Sequence, residues 1–315
     1  MTPDAKVFVL HENSDWIPPF ARAFDDEGIP YEEWLLDGGV LDLDQPPPAG
    51  VFWSRMSASC QTRGHARAKD HTRAVLSWLE AHGRRVVNGR RVLELEMSKV
   101  DQLTALRAAG FDVPRTIAVS GEAELAAVAR KLPTPFVTTH NQGGKGLGVR
   151  RFDTADALAI YLDSPDYEPP ADAITLLQEY VEPAAPFITR VEVVGGTFLY
   201  ALTADVARGG FQLCPADACA IDSDESCLVA GSASGLFALR RDFDAAIVGR
   251  YLEFARRHGI EVAGFEFIET ADGRLVTYDV NTNTNYNPDV DRQAERSGPR
   301  EVARFLGGLL TKTKG

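Results

Sequence analysis

Short apolar runs alternate with amphipathic stretches over the first hundred residues. Val7–Leu10 is an uninterrupted apolar run and reads as a buried strand. A helix is expected over 17–27, ended by Gly28-Ile29-Pro30. Strands follow at 31–36 and 50–54, separated by a turn-rich Asp/Pro segment at 44–48. Val75, Leu76 and Leu79 share one stripe of a helix over 74–82, which Gly83 closes, and Val86-Val87-Asn88 reads as a fourth strand. Short strands alternating with helices predict a parallel sheet with helices on its faces. Ligands of such sheets gather at the carboxyl ends of the strands. Arg55, Ser57 and Asn88 follow apolar runs and so lie near that edge.

The pattern then changes. Ser98 is placed to cap a helix from Lys99 to about Ala109, stopped by Gly110. A strand at 117–119 leads to Ser120, which can cap a helix over 122–131. The strand at 135–139 runs into the glycine-rich stretch 143–148, and Thr154 is placed to cap a helix over 155–162. Strands are expected at 175–181 and 188–194, and a helix over 242–258 with Ile247, Tyr251 and Phe254 on its apolar stripe. The runs at 263–268 and 275–280 form a hairpin around Asp272-Gly273.

Three places carry chemistry. Gly143, Gly144, Gly146 and Gly148 would let the backbone approach a phosphate chain, or form a plain flexible turn. The spacing fits neither the P-loop nor the dinucleotide fingerprint. In the hairpin, Asp279 and Asn281 are two residues apart and leave the same face of their strand, with Glu266 able to sit opposite. Two carboxylates and an amide oxygen are hard ligands suited to Mg²⁺ that also meets substrate phosphates. The alternative is a solvated edge, against which the flanking Phe265, Phe267, Tyr278 and Val280 argue. Glu179, within Gln178-Glu179-Tyr180-Val181, is either a ribose acceptor or a solvated strand end. Arg190 suits a phosphate or carboxylate, or a plain salt bridge.

Composition narrows the class. The 315 residues suggest roughly two domains. A hydrophobic fraction of 44% with 25% charged residues is that of an ordinary globular chain. Thirty-three basic against 45 acidic residues leave a net charge of −12, unfavourable for nucleic acid or an anionic membrane. Four cysteines do not make a disulfide framework. Cys214, Cys219 and Cys227 lack C-x-x-C spacing and a nearby histidine, which argues against zinc. Cys60 reads as a buried thiol. The basic run Arg63–Lys69 is a solvated helix face or a site for an anionic substrate. No run of about 18 apolar residues occurs, so the expected location is the cytoplasm.

In order and spacing, several stretches resemble the ATP-grasp superfamily and its RimK-like branch of glutamate ligases. They are Val87-Asn88-Gly89, Ser98-Lys99, Asn141–Val149, Gln178–Val181, Arg190, Ala263–Glu266 and Asp279-Val280-Asn281. The resemblance implies a Rossmann-like pre-ATP-grasp α/β domain over 1–95 and an ATP-grasp domain over 96–315. The latter would comprise two α+β lobes, a lid lobe over about 96–180 and a metal-binding lobe over about 181–315. It implies an ATP- and Mg²⁺- (or Mn²⁺-) dependent carboxylate–amine ligase acting through an acyl phosphate on an amino acid or small peptide-like substrate. Homo-oligomers are common among related ligases.

Residue by residue, Lys99 resembles the first ATP-contacting lysine, Gln178, Glu179 and Val181 the adenosine hinge and ribose acceptor, and Gly143–Gly148 the loop over the phosphates. Glu266, Asp279 and Asn281 match the metal ligands, Arg190 the basic residue at the acyl phosphate, and Asn283 an acceptor-site residue. Arg55 and Ser57 would face substrate. Two departures stand out. Thr139 occupies the position where the family carries a second lysine, leaving His140 or Lys145 to supply that cation. Phe211–Pro215 lacks the branch's usual Arg/Asn pattern, which leaves the substrate undetermined. A nucleotide-binding module or a small-molecule kinase is the alternative. No G-x-S-x-G elbow is present, consistent with chemistry that needs no nucleophilic side chain.

Overall fold

The computed structural model of the protein describes residues 5–144, 146, 148–209 and 235–312. Lys145, the segment Phe211–Pro215 and Cys214, Cys219 and Cys227 lie outside the described residues.

The first sheet is parallel, in the order β2-β1-β3-β4. Its strands are β1 (Lys6–His11), β2 (Tyr31–Leu35), β3 (Gly50–Arg55) and β4 (Arg85–Val87). Helix α1 (Pro18–Asp26) covers one face and α2 (Ala68–Ala81) the other. α2 begins six residues before the stretch expected from its apolar stripe and takes in Lys69 from the basic run. The side of the sheet covered by α1 is completed by α10 (Gly298–Lys312), whose Val302, Ala303 and Leu306 join Val7, Val9, Val51 and Trp53 in one core. Both ends of the chain therefore build the first body.

Helix α3 (Arg90–Met97), which the apolar pattern did not announce, leads into α4 (Lys99–Ala108). Ser98 Oγ accepts the Asp101 N–H at 3.2 Å, so the expected N-cap forms. The second sheet is antiparallel, in the order β5-β8-β6-β7. It comprises β5 (Thr116–Ser120), β6 (Phe136–His140), β7 (Arg150–Phe152) and β8 (Ile174–Glu179). α5 (Leu125–Ala129) and α6 (Ala155–Leu162) pack on one face around Phe136, Phe152 and Leu177. Ser120 does not cap a helix over 122–131; it ends β5, and α5 starts later with no side-chain cap. Thr154 does cap α6, accepting the Ala157 N–H at 3.1 Å.

The third sheet is antiparallel, in the order β11-β10-β9-β12-β13. Its strands are β9 (Phe187–Val194), β10 (Thr197–Asp205), β11 (Phe237–Arg240), β12 (Val262–Glu269) and β13 (Leu275–Asn281). The short α7 (Val206–Gly209) follows β10, α8 (Ala246–His258) packs on one face, and α9 (Pro288–Gln293) follows the loop after β13. β13 is an edge strand. Gln102 of α4 covers part of that edge: its Oε1 accepts the Val280 N–H at 2.9 Å and its Nε2 donates to the Val280 carbonyl at 2.8 Å. Asn88, at the end of β4 with φ 53°, likewise binds Val262 and Thr282 backbone oxygens, tying the first sheet to the third. Among the described residues no helix is long and apolar enough to cross a membrane.

His11 ends β1 and is buried. Burial, and then the Arg55 charge, hold its pKa down at about 4, although Glu33 lies 3.3 Å from its Nε2. The unfolded chain takes up this proton near pH 6.5 and the folded chain does not, so stability falls as the pH drops from about 6.5 toward 4. The contribution lost is about 3 kcal/mol across that window. His11→Gln should flatten this acid limb in urea-unfolding midpoints taken across the window; an unchanged limb would reject His11 as its source.

Candidate functional site

One cleft lies between the second and third sheets. Its wall includes Lys99, Thr139, Gly143, Gly144, Gly146, Gln178, Glu179, Val181, Glu266, Asp279 and Asn281. These are the described cofactor- and metal-site expectations. Among the described residues lining the cleft, Lys99 is the one cation, set against the carboxylates of Glu96, Glu179, Glu266 and Asp279. Arg55, Ser57, Asn283 and Arg190 do not line it.

The second-sheet side of the cleft follows from strand alternation. In β6, Val137 and Thr139 face the cleft, while Thr138 and His140 face α6. His140 Nε2 lies 3.0 Å from the Glu168 carbonyl, and burial lowers the ring's pKa. His140 is therefore not the cation that replaces a lysine at position 139. The same ring sets the turn: a Cβ on Gly148, at φ +68°, would lie 2.2 Å from His140. The root of the turn is fixed by Asn141, whose Oδ1 accepts the Val100 N–H at 2.8 Å and whose Nδ2 donates to Asp172 at 2.6 Å. Next to it, Lys69 donates to Gln142 Oε1 at 2.7 Å, bringing the turn against the first body.

The Gln178–Val181 stretch is equally ordered. Gln178 Nε2 donates to Thr116 Oγ1 at 2.9 Å, and Glu179 Oε1 accepts the Arg115 N–H at 3.1 Å. Tyr180, Val181 and Ile188 add apolar lining to the cleft, suited to a flat ring.

The acidic side has the register expected of the hairpin. Glu266 pairs with Asp279, Gly264 with Asn281, and a bulge follows Glu266. Asp279 is bonded to the Lys99 ammonium. Burial works against the Lys99 charge, but Asp279 together with Glu266 and Glu96 outweighs it, so the pKa is raised. Glu266 accepts Arg190 at 2.9 Å and the Tyr278 hydroxyl at 2.7 Å. Burial pushes its pKa up, while Arg190 pulls it back. Among the described residues no three His, Cys, Asp or Glu side chains gather as a metal site. The candidate trio is two carboxylates and an amide. Its oxygen donors suit Mg²⁺, and their negative charge is already matched by Lys99 and Arg190.

Arg190 lies behind this surface, 2% exposed. Its Nε donates to Glu192 at 2.6 Å, one terminal nitrogen to Glu266 and the other to Thr284 Oγ1 at 2.5 Å. Burial opposes its charge, but Glu192 and Glu266 together raise its pKa. Gly264 makes room for it: a Cβ there would lie 2.4 Å from the guanidinium. Arg55 is also buried, which lowers its pKa to about 9. It donates to the Thr284 carbonyl at 2.9 Å and Asn285 Oδ1 at 2.8 Å, with the guanidinium 4.3 Å over the Phe20 ring. Arg55 thus holds the loop after β13 in place. Ser57 Oγ is 2.9 Å from Ser59 Oγ, and Asn283 is buried in the same loop that Arg55 supports.

Sequence reasoning missed Glu96. It lines the cleft and accepts both the Thr282 N–H and hydroxyl at 2.8 Å, and burial raises its pKa. It also missed Glu192, the fully buried partner of Arg190, whose signal was its place two residues along the same strand face.

No protein-family model and no curated protein matches the sequence. Solved structures do. A RimK-domain ATP-grasp protein from Sphaerobacter thermophilus superposes with a TM-score of 0.68 at 16% identity, over 96% of this chain and 99% of that one. The ATP-grasp ligase PsnB, in complex with a minimal precursor, Mg and ADP, gives 0.65 at 15% identity over 98% of both chains. The D-cycloserine synthetase DcsG gives 0.63 at 18% identity, over 96% of this chain and 99% of that one. With a glycine-rich turn, the Gln178–Val181 stretch and an acidic hairpin around one cleft, and with this coverage, the chain has the ATP-grasp fold.

Proposed function

We propose that the protein is an ATP- and Mg²⁺-dependent carboxylate–amine ligase that forms an amide bond through an acyl phosphate. The observation that carries this reading is the convergence of Lys99, Gly143, Gly144, Gly146, Gln178–Val181 and Glu266/Asp279/Asn281 on one cleft. The apolar hinge end takes the adenine. The glycine turn presents backbone N–H groups to the phosphates. Glu266, Asp279 and Asn281 would hold the metal, which when bound would offset the negative charge of the phosphates. Lys99, released from Asp279, is free to turn to the phosphates. Arg190 keeps Glu266 oriented from behind and places positive charge near the transferred group. A carboxylate is a poor electrophile; phosphorylation gives it a good leaving group, and the amine then displaces phosphate. Positioning and electrostatics do the work, and exclusion of water protects the intermediate.

PsnB, crystallised with a minimal precursor, and the D-cycloserine synthetase support a substrate that is an amino acid or a small peptide-like molecule. Incubation with Mg-ATP and pools of amino acids and short peptides should release ADP and phosphate, with hydroxylamine trapping the acyl group. AMP release, or ADP release with a phosphorylated final product, would overturn it. The second outcome is that of a kinase, which the neutral Thr139 keeps as the competing reading.

A further inference from the structure

Among the described residues, the second-sheet wall of the cleft carries no cation. Thr139 is neutral, and the one cation lining the described cleft, Lys99, is held by Asp279 on the opposite side. A triphosphate spans both walls. The strand register identifies where a cation for that wall comes from. In the β6–β7 pair, Phe136 faces Phe152, Val137 faces Arg151 and Thr138 faces Arg150. Residues directly opposite share a face of the sheet. Phe136 and Phe152 stack at 5.8 Å on the helix face, and Arg150 lies 4.5 Å over the Tyr161 ring on that same face. Arg151 must then share the cleft face with Val137 and Thr139.

The contacts of Arg151 agree. Its guanidinium lies 4.6 Å over the ring of Tyr180, which lines the cleft. Its ion-pair partner is Asp153 at 3.4 Å, with side chains 47% and 80% exposed. A pair so open to water contributes little and is readily exchanged for a better one. Thr139 is two residues from Val137 on the same face, about 7 Å along the strand, a span an arginine side chain can cover.

We propose that Arg151 is a nucleotide-phosphate-binding residue: its guanidinium leaves Asp153 and engages the phosphates of the bound nucleotide, supplying the lid-side cation that Thr139 does not. The planar fork suits phosphate oxygens. The proposal rests on the ATP reading above, which it deepens.

The test is calorimetric binding of Mg-AMPPNP and of adenosine to the full chain. Arg151→Met should weaken Mg-AMPPNP about tenfold, the lower end expected for a charged hydrogen bond at an exposed site, and leave adenosine within about twofold. Arg151→Lys should fall between. Adding Thr139→Lys to Arg151→Met should restore most of the loss, because the charge returns to the same face. Equal weakening of both ligands would place Arg151 on the base and overturn the assignment, as would unchanged Mg-AMPPNP binding. A wild-type chain that binds no Mg-AMPPNP would instead defeat the ATP reading, and this proposal with it.

Discussion

Asp279→Asn should leave the chain folded and lower ATP-dependent turnover by more than about 100-fold. Loss of a group that merely supports a metal ligand commonly costs 10–100-fold, and Asp279 is a proposed ligand itself. The side chain is a surface of the cleft, not a part of any core: it and Lys99 are 23% and 19% exposed, and their bond faces the cavity. Asparagine keeps the shape and removes one negative charge. Lys99 is then relieved of its partner at a site where water can reach it, so the melting temperature should shift little. Glu266→Gln differs, because Glu266 also accepts Arg190 and Tyr278, and it should cost stability as well as activity. ADP release and thermal melting of both variants separate the two roles. Full Asp279→Asn activity at saturating Mg²⁺ would remove Asp279 from the metal site.

The parts legible in the sequence were those governed by local periodicity. Alternation alone put Asp279 and Asn281 on one face, and the observed pairing with Glu266 needed only the hairpin turn at Asp272-Gly273. Ser98 and Thr154 announced their helices because a cap acts within three residues. What was not legible depends on which elements meet. Helix α10 belongs with the first sheet through contacts spanning nearly the whole chain. Glu96 looks like any solvated helix acid until Thr282 arrives beside it. His140 was a reasonable substitute cation in the sequence. One residue of strand register sends it to the far face, and the same register brings Arg151 to the near one.

Register also sets the largest expected loss of stability. Arg190 on β9 pairs with Glu266 on β12, with Glu192 two residues along the same strand and Gly264 beside the guanidinium. Arg190→Met conserves much of the volume but leaves Glu192, fully buried, without its cation. Removing one member of a buried ion pair costs about 3–5 kcal/mol, most of it the penalty of the charge left behind. The single variant should therefore melt well below the wild type. If stranded charge is the cause, Arg190→Met/Glu192→Gln should be more stable than Arg190→Met alone, since the second change removes the unpaired carboxylate while Thr284 can still hydrogen-bond the amide. Additive losses in the double variant would show instead that Arg190 acts through packing. Turnover should stay low in both, because neither restores positive charge behind Glu266. Recovery of stability without recovery of activity would separate what Arg190 does for the fold from what it does for the cleft.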